Sequence, residues 1–308
     1  MKTNPNAKPF EKYFGASTPS KTAGLSFSIA TLLLIVLSFL VSVLLKAFKL
    51  NTENSPDWFL YLSYLLPQLA FALTIAFALS YQGVGVKKAI RKQKCSWKYF
   101  VVAIILQTGL MSLSQLNDWF LQLLGGLGYT PNAISVPSLD GFGVVGVILV
   151  VGLLPAIFEE SFFRGVLLDG LRSYKTITMV LLSGLLFALY HQNPAQTLYQ
   201  FCCGCAFALV AIRAGSVLPT VLAHFLNNTV IILLTKFGIN QFSTTALWIL
   251  MPIFGVCLVA SLIYLIFLDK NTPETDETES AKKSFFSSAG IGIAVCVLMW
   301  LVALASGL

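Results

Sequence analysis

The sequence contains a succession of apolar runs, each of about 20 residues, separated by short polar joints. A helix of about 20 apolar residues is long enough to cross the hydrocarbon core of a bilayer. A transmembrane β-barrel would instead show alternating strands of about ten residues, whereas the runs in this chain are continuous. The sequence therefore predicts an all-α, polytopic transmembrane helix bundle, and its 308 residues accommodate about eight or nine spans.

The composition excludes the other broad classes of protein. Hydrophobic residues make up 56% of the chain and charged residues only 11%, whereas a soluble domain carries about 25% charged residues. A soluble enzyme, a disordered protein and a fibrous protein are all excluded. The net charge of +7 could suggest a nucleic-acid partner, but the basic residues lie in a few loops between spans, which is a topological signal. We expect membrane lipid as a partner and no nucleic acid.

The apolar runs divide the chain into four parts. In order, these are a polar cytoplasmic tail at 1–22, N-terminal transmembrane helices at 23–139, a central part at 140–235, and C-terminal transmembrane helices at 236–308. The predicted spans lie near 24–45, 58–81, 99–123, 143–171, 177–191, 196–212, 216–235, 244–268 and 287–306. The third and the last are the least clear as full spans.

Lysine and arginine predict the orientation of the bundle. A basic loop at 82–98 and the tail at 1–22 hold most of these residues, and two predicted spans separate them. Because basic loops stay in the cytoplasm, both segments and the acidic linker at 269–284 are expected inside, with 125–141 outside. The chain is then an integral protein, most simply of the plasma membrane, with a cytoplasmic N-terminus.

Several ionisable side chains interrupt the central apolar helices. Placing a charge in the hydrocarbon costs about 2.5–3.5 kcal/mol on insertion scales, so such groups mark functional sites. Both histidines of the chain belong to this set. At a rise of about 1.5 Å per residue, these side chains are predicted to lie at similar depths in the membrane. Its members are Glu159, Glu160, Arg164, His191 and His224, with Asn228 one helical turn beyond the last histidine.

The spacing within the first motif separates two carboxylates. Glu160 and Arg164 are four residues apart, so they face each other on a helix and can pair. Glu159 is rotated by about 100° from its neighbour and is left free to act as a base. Pro155, four residues earlier, removes a backbone hydrogen bond and is expected to kink the helix.

The two later motifs repeat this four-residue spacing. Phe187 can wall the imidazole of His191, while His224 and Asn228 can point at one ligand atom. Each residue taken alone also has a structural explanation. The Glu160–Arg164 pair could be a buried ion pair, a histidine could be a packing residue, and Asn228 could join helices. The combination favours a functional site.

The three motifs together resemble the CPBP family of intramembrane proteases, also called the CAAX-protease and bacteriocin-processing or Abi family, whose eukaryotic relatives are type II CAAX prenyl endopeptidases. The family pattern is Glu-Glu-x-x-x-Arg, then Phe-x-x-x-His, then His-x-x-x-Asn or Asp, on separate helices. The matching residues here, within about 140–235, are Glu159-Glu160…Arg164, Phe187…His191 and His224…Asn228.

The resemblance implies endoproteolysis of a membrane-associated peptide or protein inside the membrane. By this resemblance, Glu159 and His191 would hold and activate a water molecule. His224 and Asn228 would stabilise the oxyanion of the tetrahedral intermediate. The supporting residues would be Glu160, Arg164 and Phe187.

A zinc mechanism stays open beside the metal-free one. If zinc is used, its protein ligands would be Glu159, His191 and His224, with water as the fourth ligand. Zinc-bound histidines are usually oriented by a carboxylate or a carbonyl. Glu160 is the only nearby charged candidate, and we expect Arg164 to occupy it. We therefore favour a glutamate mechanism without a cofactor, with zinc as the alternative.

Two functions from other classes are kept as alternatives. A proton-coupled transporter could also use intramembrane glutamate, histidine and arginine, but it is expected to show inverted repeats, which this sequence lacks. A non-catalytic membrane scaffold or bacteriocin self-immunity protein is expected to lose a motif residue, and none is lost here. A Glu159→Gln variant separates a protease from a scaffold.

Overall fold

The computed structural model describes residues 19–49, 55–83, 94–131, 135–239, 242–269, 271 and 279–308. These ranges contain helices and no strand. The helices are α1 Pro19–Ala47, α2 Asp57–Tyr81, α3 Lys98–Leu110, α4 Leu113–Gly126, α5 Gly143–Gly170, α6 Thr176–Tyr190, α7 Thr197–Ala214, α8 Leu218–Lys236, α9 Thr244–Leu268 and α10 Glu279–Gly307. Within them, eight helical segments are long and apolar enough to cross a membrane. The chain is an all-α integral membrane protein, as its apolar runs predict.

The helix boundaries correct several details of the predicted spans. The segment predicted as a span at 177–191 is the 15-residue helix α6, which is about 22 Å long and too short for a hydrocarbon core of about 30 Å. The third span is interrupted at Met111–Ser112, between α3 and α4, rather than by polar residues farther along.

The predicted polar segments are also shorter than expected. Helix α1 already begins at Pro19, inside the predicted tail, and α10 begins at Glu279, inside the predicted acidic linker. A proline suits the first turn of a helix because the N–H it lacks would have no helical partner there. Most of the basic loop at 82–98 and of the acidic linker lies outside the described residues.

Contacts between helix ends define two ends of the bundle. At the first, Ser20 Oγ at the start of α1 donates to the Gly170 carbonyl at 2.8 Å, and Lys98 Nζ pairs with Asp269 at 3.4 Å. This end, called the basic end, carries Lys21, Lys94, Lys98, Arg172, Lys175, Arg213 and Lys283.

The opposite end of the bundle is joined by its own contacts. Lys236 Nζ donates to the Leu139 carbonyl at 2.6 Å, and the backbone N–H of Thr130 donates to the Gly307 carbonyl at 2.7 Å. The described basic residues at this end, called the far end, are Lys46, Lys49 and Lys236.

Helices α6 and α7 form a hairpin whose turn lies inside the bundle. The Trp300 indole N–H donates to Thr197 Oγ1, at the start of α7, at 2.8 Å. Trp300 precedes the far end of α10 by seven residues, so the turn lies about 10 Å below the far end. The hairpin can be this tight because a Cβ on Gly204 would lie 2.8 Å from the Gly184 Cα. The small residues around Gly204 therefore serve close helix packing.

Helix α5 changes its winding on both sides of its proline. A π-helical stretch, Ile148–Leu153, leads into an α-helical segment, Leu154–Glu160, and a second π-helical stretch follows at Ser161–Leu167. Pro155 lies in the first turn of the middle segment, so its missing N–H falls where the winding changes. Such π-helical bulges are frequent at functional sites.

Candidate active site

A cavity of about 390 Å³ lies between faces of α2, α5 and α8. Glu159, His191, His224 and Asn228 all line it. From these residues it extends towards the far end of the bundle, where Val136, Leu139 and Thr235 line it. The structure thus brings together all four side chains that the sequence analysis assigned to catalysis.

One stripe of α5 forms a wall of this cavity. Val147, Val151, Pro155 and Glu159 follow each other at intervals of four residues, and all four line it. On a helix this spacing keeps side chains on the same face. Glu159 is half-buried at the inner end of the stripe. Its carboxylate makes no hydrogen bond or ion pair with any described residue. It is the carboxylate that faces the cavity.

The neighbouring carboxylate, Glu160, is fully buried and holds two partners. Arg164 Nη1 donates to Glu160 Oε1 at 3.0 Å, and neither side chain is exposed, as the four-residue spacing predicts. His224 Nδ1 lies 2.9 Å from the same oxygen. Glu160 therefore links the Glu-Glu-x-x-x-Arg motif on α5 to the histidine on α8.

Arg164 is held by aromatic rings and a carbonyl. Its guanidinium lies 4.3 Å from the centroid of the Phe187 ring and 5.6 Å from that of Phe207. Its second terminal nitrogen donates to the Gly204 carbonyl at 3.2 Å. Cation–π contacts of this kind are strongest where water is excluded. The arrangement fixes the cation that neutralises Glu160.

His191 lies one residue beyond the end of α6 rather than inside it, because the helix ends at Tyr190 ahead of Asn193-Pro194. Its Nδ1 lies 2.8 Å from the Phe187 carbonyl oxygen. A carbonyl oxygen can only accept, so Nδ1 carries the proton and Nε2 of the neutral ring is an acceptor. The Phe187 ring packs edge-on against the imidazole, with centroids 4.7 Å apart.

His224 is anchored by the opposite kind of partner, an anion. Because the Glu160 carboxylate can accept from Nδ1–H, the ring can become an imidazolium that donates through Nε2.

Asn228 bridges α8 to the irregular part of α5. Its Nδ2 lies 3.4 Å from the carbonyl oxygens of both Val151 and Gly152. Pro155 has no N–H to offer the carbonyl four residues before it, which is that of Val151. Both contacts are long, so the amide remains able to donate to a stronger acceptor in the cavity.

The sequence analysis missed a hydrogen-bond network behind Asn228. Asn227 Nδ2 donates to Asn228 Oδ1 at 3.2 Å, and Asn227 Oδ1 accepts from Gln107 of α3 at 2.9 Å and from Tyr199 of α7 at 2.8 Å. These contacts fix which way the Asn228 carboxamide points. Only the polarity of Gln107 within an apolar helix could have indicated this role.

Glu160 has a second partner besides Arg164. The expected pairing with Arg164 is present, and the same carboxylate oxygen also contacts His224. A carboxylate is therefore present to orient a zinc-binding histidine. Among the described residues, however, no three histidine, cysteine, aspartate or glutamate side chains are grouped to hold a metal ion.

Comparison with known proteins identifies the part of the chain that carries the site. Residues 141–230 match the family model described as type II CAAX prenyl endopeptidase Rce1-like. No match was found among curated proteins, and none among solved structures. The matched segment contains α5 to α8 up to two residues beyond Asn228, and so every residue of the three motifs. In this segment the chain is similar to type II CAAX prenyl endopeptidases.

Proposed function

We propose that the protein is an intramembrane endopeptidase that hydrolyses a peptide bond in a membrane-associated peptide or protein. The observation that carries this proposal is the cavity lined at once by Glu159, His191, His224 and Asn228. It contains a carboxylate, Glu159, that has no cationic partner among the described residues, beside a second carboxylate whose Oε1 contacts both Arg164 and His224. Two acidic groups in different surroundings are a recurrent way of separating catalytic from supporting roles.

In the proposed mechanism Glu159 and His191 Nε2 bind one water molecule between them. Glu159 takes a proton as the water oxygen attacks the carbonyl carbon of the scissile bond. The resulting oxyanion accepts from His224 Nε2–H and Asn228 Nδ2–H. The C–N bond then breaks, and the proton held by Glu159 passes to the leaving nitrogen. The products are a carboxylic acid and an amine, with the Glu159 carboxylate regenerated.

The proposal is tested by peptide cleavage in a defined membrane. Purified protein is reconstituted into phospholipid vesicles with a pool of hydrophobic, internally quenched peptides, and fragments are identified by mass spectrometry. We expect cleavage by the wild type and none by Glu159→Gln. Vesicles that only accumulate protons or solutes, with no peptide fragment in either sample, would favour the transporter.

We further propose that hydrolysis needs no zinc. The purified protein is expected to contain much less than one zinc per chain, and its rate of cleavage is expected to be unchanged after dialysis against a strong chelator. Metal content is measured by inductively coupled plasma mass spectrometry on the same sample. One zinc per chain, with activity lost on chelation and restored by zinc alone, would replace this mechanism while leaving the protease function intact.

We also propose that the basic end of the bundle is cytoplasmic, as the distribution of lysine and arginine favours. A Ser135→Cys variant, exposed at the far end, is expected to react with an impermeant maleimide on intact cells. Native Cys95, on the basic side of α3, is the control and should react only after permeabilisation. Labelling of Cys95 but not of residue 135 on intact cells would invert the orientation.

A further inference from the structure

The wall that α2 contributes to the cavity holds a carboxamide, that of Gln68, whose oxygen has no hydrogen-bond partner among the described residues. Gln68 is only 5% exposed, and its Oε1 accepts no hydrogen bond from any described residue. Buried amide oxygens nearly always have a partner, because leaving one unpaired is unfavourable. Yet Gln68 lines the cavity, so the space next to it can hold a group that completes its hydrogen bonds.

Contacts along α2 place Gln68 near the catalytic residues. Tyr61 of α2 donates to the Gly143 carbonyl at the start of α5 at 3.3 Å, and farther along the Phe71 ring packs against the Phe162 ring with centroids 5.1 Å apart. Gln68 precedes Phe71 by three residues, about 4.5 Å along the helix, just as Glu159 precedes Phe162 by three. Gln68 and Glu159 therefore lie at similar levels on the walls of one cavity.

The chemistry of the cavity wall indicates what Gln68 binds. A carboxamide offers both a donor and an acceptor, which matches the N–H and C=O of a peptide unit. Gln196 and Gln200 also line the cavity, whereas none of the described residues that line it is a lysine or an arginine. A charged substrate group would have no cationic partner there, while a peptide main chain entering an apolar site must have its polar groups satisfied.

We propose that Gln68 binds the main chain of the substrate close to the scissile bond. This inference rests on the proposed peptidase function and adds a substrate-binding residue to it. The substrate is then an extended peptide segment held through its backbone. Its side chains remain free to vary at the position next to Gln68.

The test combines a Gln68→Leu variant with peptides in which single amide groups are replaced by esters. A peptide selected from the quenched pool by the wild type is the probe. The variant is expected to raise KM about tenfold, the loss of about one or two hydrogen bonds, with little change in kcat. At the position whose amide Gln68 binds, an ester should raise KM for the wild type. The same ester should not raise KM further in Gln68→Leu, because the hydrogen bond is already lost.

A matched control lies on the same helix. Thr74 is also buried, but its hydroxyl donates to the Ala70 carbonyl of its own helix at 2.7 Å, so Thr74→Val is expected to leave KM unchanged. The Gln68→Leu protein should unfold at the same temperature as the wild type or a higher one, because an unpaired buried amide is removed. This readout separates lost binding from lost folding.

The possible failures point to different conclusions. Cleavage that depends on Glu159, with ester effects identical in wild type and Gln68→Leu at every position, would overturn the role of Gln68 and leave the peptidase standing. Cleavage by Glu159→Gln at the wild-type rate would overturn the proposed function itself. An ester effect that disappears only in Gln68→Leu supports both.

Discussion

Replacement of Glu159 by glutamine is expected to lower the rate of peptide hydrolysis by a factor of about 10³ or more, in the range found for general bases. The variant should still fold and accumulate in the membrane. Glu159 faces the cavity and makes no ion pair with a described residue. The neutral glutamine of the variant therefore leaves no cation without its partner. The rate is measured on the selected quenched peptide in vesicles, with protein quantity and thermal stability measured on the same preparation.

The matched control for this variant is another acidic residue of α5. Asp169 pairs with Arg172 at 2.6 Å at the basic end, where both side chains are about half exposed. Exposed pairs of this kind contribute about 0–1 kcal/mol, so Asp169→Asn should retain wild-type activity and stability. If purified Glu159→Gln cleaved as fast as the wild type, Glu159 could not be the base.

Contacts within one helical turn could be predicted from the sequence. The spacing of Glu160 and Arg164 predicted their ion pair, and the spacing of Phe187 and His191 predicted their ring contact. Both predictions rest on the fixed geometry of i and i+4 positions. The contact between Glu160 and His224 joins residues 64 positions apart, and its geometry depends on how α5 and α8 pack. No local periodicity contains that information.

The ends and interruptions of helices were predicted less well than their existence. Apolar length located the spans, since it is a property of composition. The break at Met111–Ser112 and the two π-helical stretches of α5 are local changes of winding, which apolar length does not predict. Helix α6 ends at Tyr190, just ahead of Asn193-Pro194, because a proline disfavours helical geometry in the residue before it.

Breaking the Glu160 ion pair is expected to have the largest effect on stability. In Glu160→Gln the Arg164 cation is left in a fully buried site without an anion, and in Arg164→Ala the anion is left alone. Loss of one partner of a buried pair costs about 3–5 kcal/mol. Both variants should therefore be less abundant in the membrane and lose their fold at lower temperature in detergent. Both should also lose activity.

A double variant separates the two roles of Glu160. Replacing the pair by apolar residues, as Glu160→Leu with Arg164→Met, removes both buried charges and is expected to restore much of the lost thermal stability. Activity should stay low, because His224 Nδ1 then has no carboxylate to stabilise its charged form. A double variant that is stable and fully active would show that Glu160 serves folding alone. One that is stable and inactive would assign Glu160 to the positioning of His224, which no Glu160 single variant can establish because it also unbalances the buried charge.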